Sequence, residues 1–192
     1  MQRVRYFIIG LIAGLIMMGS VSAIYVYIWK RSFVTIVERS GAPDLPRDTS
    51  AAIYQEMWEW RLSDLAGKQF ALSQFKGRLV VVHLWATWCT PCVRELPEIQ
   101  LLYDSLRKRD VAFLVVSREK ELVVREFLKG SSYTFPVYTS TEAEPDAFQS
   151  DDEFNVIPCT IVLDRSGVIR MRQGGGALWS DRKTMRFFRS VL

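Results

Sequence analysis

Leu79 to Ile99 read LVVVHLWATWCTPCVRELPEI, an apolar run broken by one histidine, a short turn, and two cysteines at the mouth of a helical pattern. This stretch constrains the fold more than any other. A continuous apolar run of this length is typical of a central strand buried on both faces. From Pro91 to about Arg109, Val93, Leu96, Ile99, Leu102 and Leu106 recur at three- and four-residue steps, which predicts a helix kinked where Pro97 interrupts it. Cys89 therefore stands where a central strand hands over to its helix, at the carboxyl end of a strand, where open α/β sheets usually build their sites. The pair Cys89 and Cys92 is open to three uses at this point: carrying electrons, holding a metal, or bracing the fold. Three cysteines in 192 residues are too few for a disulfide scaffold, and the odd count leaves one without a partner.

The rest of the chain fits a mixed sheet flanked by helices. MWEWRLSDLAGKQFALSQF alternates apolar and polar residues around DLAGK, as a hairpin does. VAFLVVS is a second buried strand, so strand, helix and strand imply a right-handed parallel crossover. KELVVREFLKG predicts a helix ended by Gly130, CTIVLDRSGVIRMR a hairpin, and SDRKTMRFFRSVL a closing helix capped by Ser180 or Asp181. Upstream, Phe7 to Trp29 carry no charge, with Arg3 and Arg5 before them and Lys30 and Arg31 after. About 20 apolar residues span a bilayer, so residues 1–31 read as a membrane anchor, with a cleaved signal peptide as the alternative. Residues 32–55, with SGAPDLPRDTS, read as a linker, and 56–192 as the folded domain. A net charge of +4, with basic and acidic residues interspersed, argues against nucleic-acid binding.

ALSQFKGRLVVVHLWATWCTPCVRELPEI, together with YTFPV and VIPCTIVLDRSGVI, resembles the TlpA/ResA group of membrane-anchored, thioredoxin-like thiol–disulfide oxidoreductases. The resemblance covers roughly Trp58 to the C-terminus. It implies a thioredoxin-like α/β fold behind an N-terminal transmembrane helix, and a domain facing the extracytoplasmic side (periplasm or outer membrane face). It implies a redox-active Cys89–Cys92 disulfide with no bound cofactor and no metal, a cis peptide before Pro158 packed against that pair, and a backbone at Ile157 that holds the partner's peptide. Cys89 would be the nucleophile and Cys92 the resolving thiol, with Thr90 and Pro91 setting the helix start, Trp88 shielding the pair and Trp85 packing. The implied partners are a protein disulfide (apocytochrome c or copper-site cysteines), a membrane electron donor, and the membrane itself through the N-terminal helix. A role within a larger membrane complex is a further alternative.

Two residues depart from that pattern. His83, the only histidine, lies six residues before Cys89, where thioredoxins carry a buried acid. It reads either as a proton relay for Cys92 or as a buried neutral imidazole with a backbone partner. Cys159 follows Pro158, where the family usually has threonine; it reads as an inert core thiol, with a third reactive thiol as the sharper alternative. Glu95 reads as an exposed helix residue, with an influence on active-site charge as the alternative. STEAEPDAFQSDDEF reads as a solvated acidic loop that also has the option of shaping partner choice. Outside dithiol chemistry, peroxide reduction is disfavoured because W-C-T-P-C differs from a peroxidatic motif. A metal module would require Cys89, Cys92, Cys159 and His83 to converge.

Overall fold

The computed structural model describes Ile24, residues 55–148 and residues 156–192. The chain divides into two units, residues 1–41 and 42–192, and the fold below is that of the second. Apart from Ile24, the anchor expected over 1–31 lies outside the described residues, as does most of the linker. Among the described residues no helix is long and apolar enough to cross a membrane.

One seven-stranded sheet organises this unit: β1 (Arg61–Asp64), β2 (Gln69–Ala71), β3 (Leu79–Trp85), β4 (Val111–Ser117), β5 (Val137–Thr139), β6 (Cys159–Leu163) and β7 (Ile169–Gly174). The strand order is β2-β1-β5-β4-β3-β6-β7. β3, β4 and β5 run parallel, while β1 and β6 join them antiparallel and bring in β2 and β7 as hairpin partners. Every residue of β3 and β4 is buried, as their apolar runs require of strands covered on both faces. Three helices follow in chain order, α1 (Thr90–Leu106), α2 (Glu121–Leu128) and α3 (Arg182–Val191).

The side-chain alternation of the strands separates two cores. Leu79, Val81 and Trp85 pack with Cys92, Leu96, Ile99, Leu102 and Leu106 of α1, and Val124 and Phe188 bring α2 and α3 into the same cluster. Val80, Val82 and Leu84 face the other way, against Met57, Trp58, Trp60, Leu72, Phe148 and Cys159. The helical periodicity of α1 thus selects the face that carries Cys92, and all five apolar positions except Val93 are buried. Pro97 is accommodated within α1, which continues to Leu106. Both expected hairpins form, and Gly130 adopts the left-handed conformation just past α2 (φ +78°) that glycine supplies at a helix end. Asp181 caps α3 by accepting from the Lys183 N–H at 2.8 Å.

Candidate active site

β3 ends at Trp85, and a three-residue turn carries the chain to Cys89. That turn is clamped from the neighbouring strand. Glu119, just past β4, accepts from the Thr87 N–H at 2.6 Å and from the Thr87 hydroxyl at 2.7 Å, and Ser117 donates to the same carboxylate at 3.1 Å. Parallel pairing of β3 and β4 places Trp85 opposite Ser117, so these residues meet for a topological reason.

Cys89 is the N-cap of α1, with Pro91 in the first turn, where its missing N–H leaves no bond unmade. The Cys89 sulfur accepts from the Cys92 backbone N–H at 3.2 Å, and the two cysteines are joined by a disulfide. Cys89 retains 5% of its surface exposed and Cys92 none, so only the first sulfur is reachable by a partner. Trp88, immediately before it, is 73% exposed. The Ile157–Pro158 peptide is cis, and the Ile157 carbonyl oxygen lies 3.6 Å from the Cys89 sulfur. Trp85 is buried against the Phe127 ring at 5.6 Å.

His83 is fully buried on the α1 face of β3. Its Nδ1 lies 2.8 Å from the Thr160 hydroxyl across the β3–β6 pairing, and its Nε2 has no hydrogen-bond partner. The partner is thus a side chain, where the structural alternative expected backbone. Burial depresses its pKa to about 3, so the imidazole is neutral at physiological pH.

Cys159 is free and buried, but on the opposite face of β6 from Thr160, in the cluster of Val82, Leu84 and Ile161. Burial also raises its pKa, which favours the unreactive thiol. The sheet therefore lies between Cys159 and Cys92, so the four residues of the proposed Cys₃His set do not converge. Among the described residues no group of metal-ligating side chains is assembled.

Two acids correct the sequence reading. Glu95 is buried, not exposed: its Oε1 accepts from the Ala177 N–H at 3.0 Å and from the Trp179 indole N–H, while Oε2 has no partner. Burial pushes its pKa up to about 7, only partly offset by those two donors, and Glu98 nearby adds to the rise. It lies three residues after Cys92 and so on the same face of α1. The donors that bury it come from a loop 82 and 84 residues away, which is why α1 alone gives no sign of it. The nearest sequence signal is a glutamate inside the buried stripe of a helix, between Cys92 and Leu96. The acidic segment from Ser140 is likewise not simply solvated, because Ser140, Glu144 and Phe148 are buried.

The sequence profile of the AhpC/TSA family matches residues 53–172. The ResA thiol-disulfide oxidoreductase of Geobacillus kaustophilus is 31% identical over 125 residues, covering 64% of this chain and 69% of its own. The chain is a thiol–disulfide oxidoreductase of the AhpC/TSA family. Sporulation thiol-disulfide oxidoreductase A of Bacillus subtilis is 30% identical over 104 residues, covering 52% of this chain and 61% of its own. A thioredoxin-family thiol:disulfide interchange protein from Chlorobium tepidum superposes with a TM-score of 0.60 at 23% identity, covering 76% of this chain and 98% of its own. That likeness establishes the thioredoxin-like fold. A cysteine pair at a helix start is an arrangement suited to disulfide exchange.

Proposed function

We propose that the protein reduces disulfides of partner polypeptides on the extracytoplasmic side of a membrane, anchored by its N-terminal apolar segment and recharged by a membrane electron donor. The substrate class implied by the TlpA/ResA resemblance is the cysteine pair of an apocytochrome c or of a copper site under assembly. The observation that carries the reading is the Cys89 sulfur seated at the N-terminus of α1, accepting the Cys92 N–H. In the dithiol form that N–H and the positive end of the helix dipole stabilise a Cys89 thiolate.

The reaction then balances without a cofactor. The Cys89 thiolate attacks one sulfur of the partner disulfide, forming a mixed disulfide and releasing the partner's other sulfur as a thiolate, which takes up a proton. Cys92 loses its proton and attacks the Cys89 sulfur. The second partner thiolate leaves, and the Cys89–Cys92 disulfide is formed. Two electrons have passed from the protein to the partner. Glu95 is the group suited to accept the Cys92 proton, with a pKa near 7 and an oxygen that no other donor uses. His83, held near 3, is a poor acceptor at neutral pH and acts as a support that ties β3 to Thr160 behind Pro158. The Ile157 carbonyl, beside the Cys89 sulfur, is placed to bond an extended partner backbone.

Cys92→Ser tests the assignment. Incubated with a disulfide-bonded partner, this variant is expected to accumulate a mixed disulfide through Cys89, visible as a mass increase that dithiothreitol reverses. Accumulation through Cys159 instead would refute the assignment.

A further inference from the structure

A cavity of about 370 Å³ opens next to the active-site turn. Trp88, the chain neighbour of Cys89, and Ile157, whose carbonyl oxygen lies 3.6 Å from the Cys89 sulfur, line it together with Leu84, Trp85, Ala86 and Val116. Its polar lining is Arg118, Glu119 and Glu144. Glu144 is 9% exposed, and its Oε2 has no hydrogen-bond partner. That oxygen is ion-paired with the Arg118 guanidinium, 3.5 Å away on a side chain that is 61% exposed, so solvent screens much of the pairing. Glu119 has both oxygens engaged by Thr87 and Ser117. Two carboxylates against one arginine leave the cavity net negative.

A buried carboxylate oxygen that makes no hydrogen bond is costly, and a mostly exposed arginine 3.5 Å away offsets only part of that cost. The lining, apolar residues together with an acidic excess, suits one side-chain chemistry: a flexible apolar stem ending in a cation. The stem would lie along Leu84, Val116 and Ile157, and the charged head would reach Glu144. We infer that this cavity is a specificity subsite for a lysine or arginine side chain close to the reacting cysteine of the partner polypeptide. The inference rests on the reductase reading and adds to it which disulfides are preferred.

The test uses reduced protein and a set of synthetic peptides carrying one disulfide, with a lysine at each of the three residues on either side of the attacked cysteine. Matched peptides carry norleucine at the same position. At one or two positions lysine is expected to raise kcat/KM about tenfold over norleucine, an advantage that shrinks as salt screens the pair. In Glu144→Gln the lysine peptides are expected to fall to the norleucine rate. Equal rates for lysine and norleucine at every position in the wild type would overturn the subsite, as would a preference that Glu144→Gln retains. The salt series on the wild type alone keeps the test decisive should that variant not fold: a lysine advantage indifferent to salt overturns the inference too. Hydroxyethyl disulfide, which has no side chain for the cavity, separates the two levels. A wild type that reduces it but shows no lysine preference loses only the subsite. A wild type that reduces neither it nor any peptide loses the reductase reading and the subsite with it.

Discussion

Cys92 and Cys159 are both buried cysteines within the same sheet-and-helix unit, yet their surroundings are chemically opposite. Cys92 lies in the first turn of α1, bonded to Cys89 and followed one turn later by a glutamate whose Oε2 has no partner. Cys159 sits in β6, on the far side of the sheet, among aliphatic and aromatic side chains. Residue type and burial are the same in the two places. What differs is the backbone: a helix start supplies free N–H groups and positive potential, whereas β6 is paired on both sides, with β3 and β7, and spends its N–H groups on those ladders. Reactivity follows from that difference.

The largest expected effect breaks the comparison directly. Cys92→Ser should lower disulfide turnover by roughly 10³-fold or more, because the mixed disulfide is no longer resolved. Cys159→Ser should leave turnover within about twofold, and its cost should fall on stability, on the order of 1–3 kcal/mol for an unpaired buried hydroxyl. Alkylation followed by mass spectrometry gives the companion measurement: in reduced native protein Cys89 is modified, and Cys159 only after denaturation.

Next come the two buried titratable groups on the Cys92 side, which pull stability in opposite directions. His83 is neutral in the fold down to about pH 3, while the unfolded chain takes up its proton near 6.5. The unfolded state therefore binds more protons across that window, and stability is lost as pH falls through it. Because the chain has a single histidine, one imidazole resonance followed by NMR reports it, and that resonance should stay neutral until acid unfolding. Glu95 has the opposite sign. Its pKa rises from 4.5 to about 7 on folding, so the folded state binds more protons and stability declines as pH rises between those values, by on the order of 3 kcal/mol. Glu95→Gln should remove that decline, leaving denaturation midpoints that climb steadily from pH 4.5 to 7. It should also slow turnover near neutral pH, where the wild-type carboxylate accepts the Cys92 proton.

The smallest effect concerns the turn that presents Cys89. Thr87→Val removes the hydroxyl bond to Glu119 and keeps the backbone one. About 1 kcal/mol of stability should be lost, with a rate change of no more than a few-fold. Equilibrium urea denaturation reads the first and steady-state turnover the second.

These contrasts also separate what was legible in the sequence from what was not. β3, α1 and β4 follow from local periodicity, and the placement of Cys89 at the strand-to-helix junction follows with them. The cis Ile157–Pro158 peptide came from family resemblance, since nothing local requires it. The burial of Glu95 depends on Ala177 and Trp179, and Glu144 lines one cavity with residues of β3 and β4, so both placements are products of tertiary assembly. Periodicity places a residue on a face of its own element. It does not tell which distant loop will cover that face, and a polar residue inside a buried stripe is where that gap is widest. His83 shows the milder form: its strand predicts burial, but only the β3–β6 register identifies Thr160 as its partner.

The reduction potential of the Cys89–Cys92 pair tests the central claim most directly, by equilibrating the protein in dithiothreitol or glutathione redox buffers and trapping the thiols. A potential at or below about −250 mV is the result predicted for a reductase that must be supplied with electrons. A potential near −120 mV would make the pair an oxidant of its partners and contradict the direction of electron flow set out above.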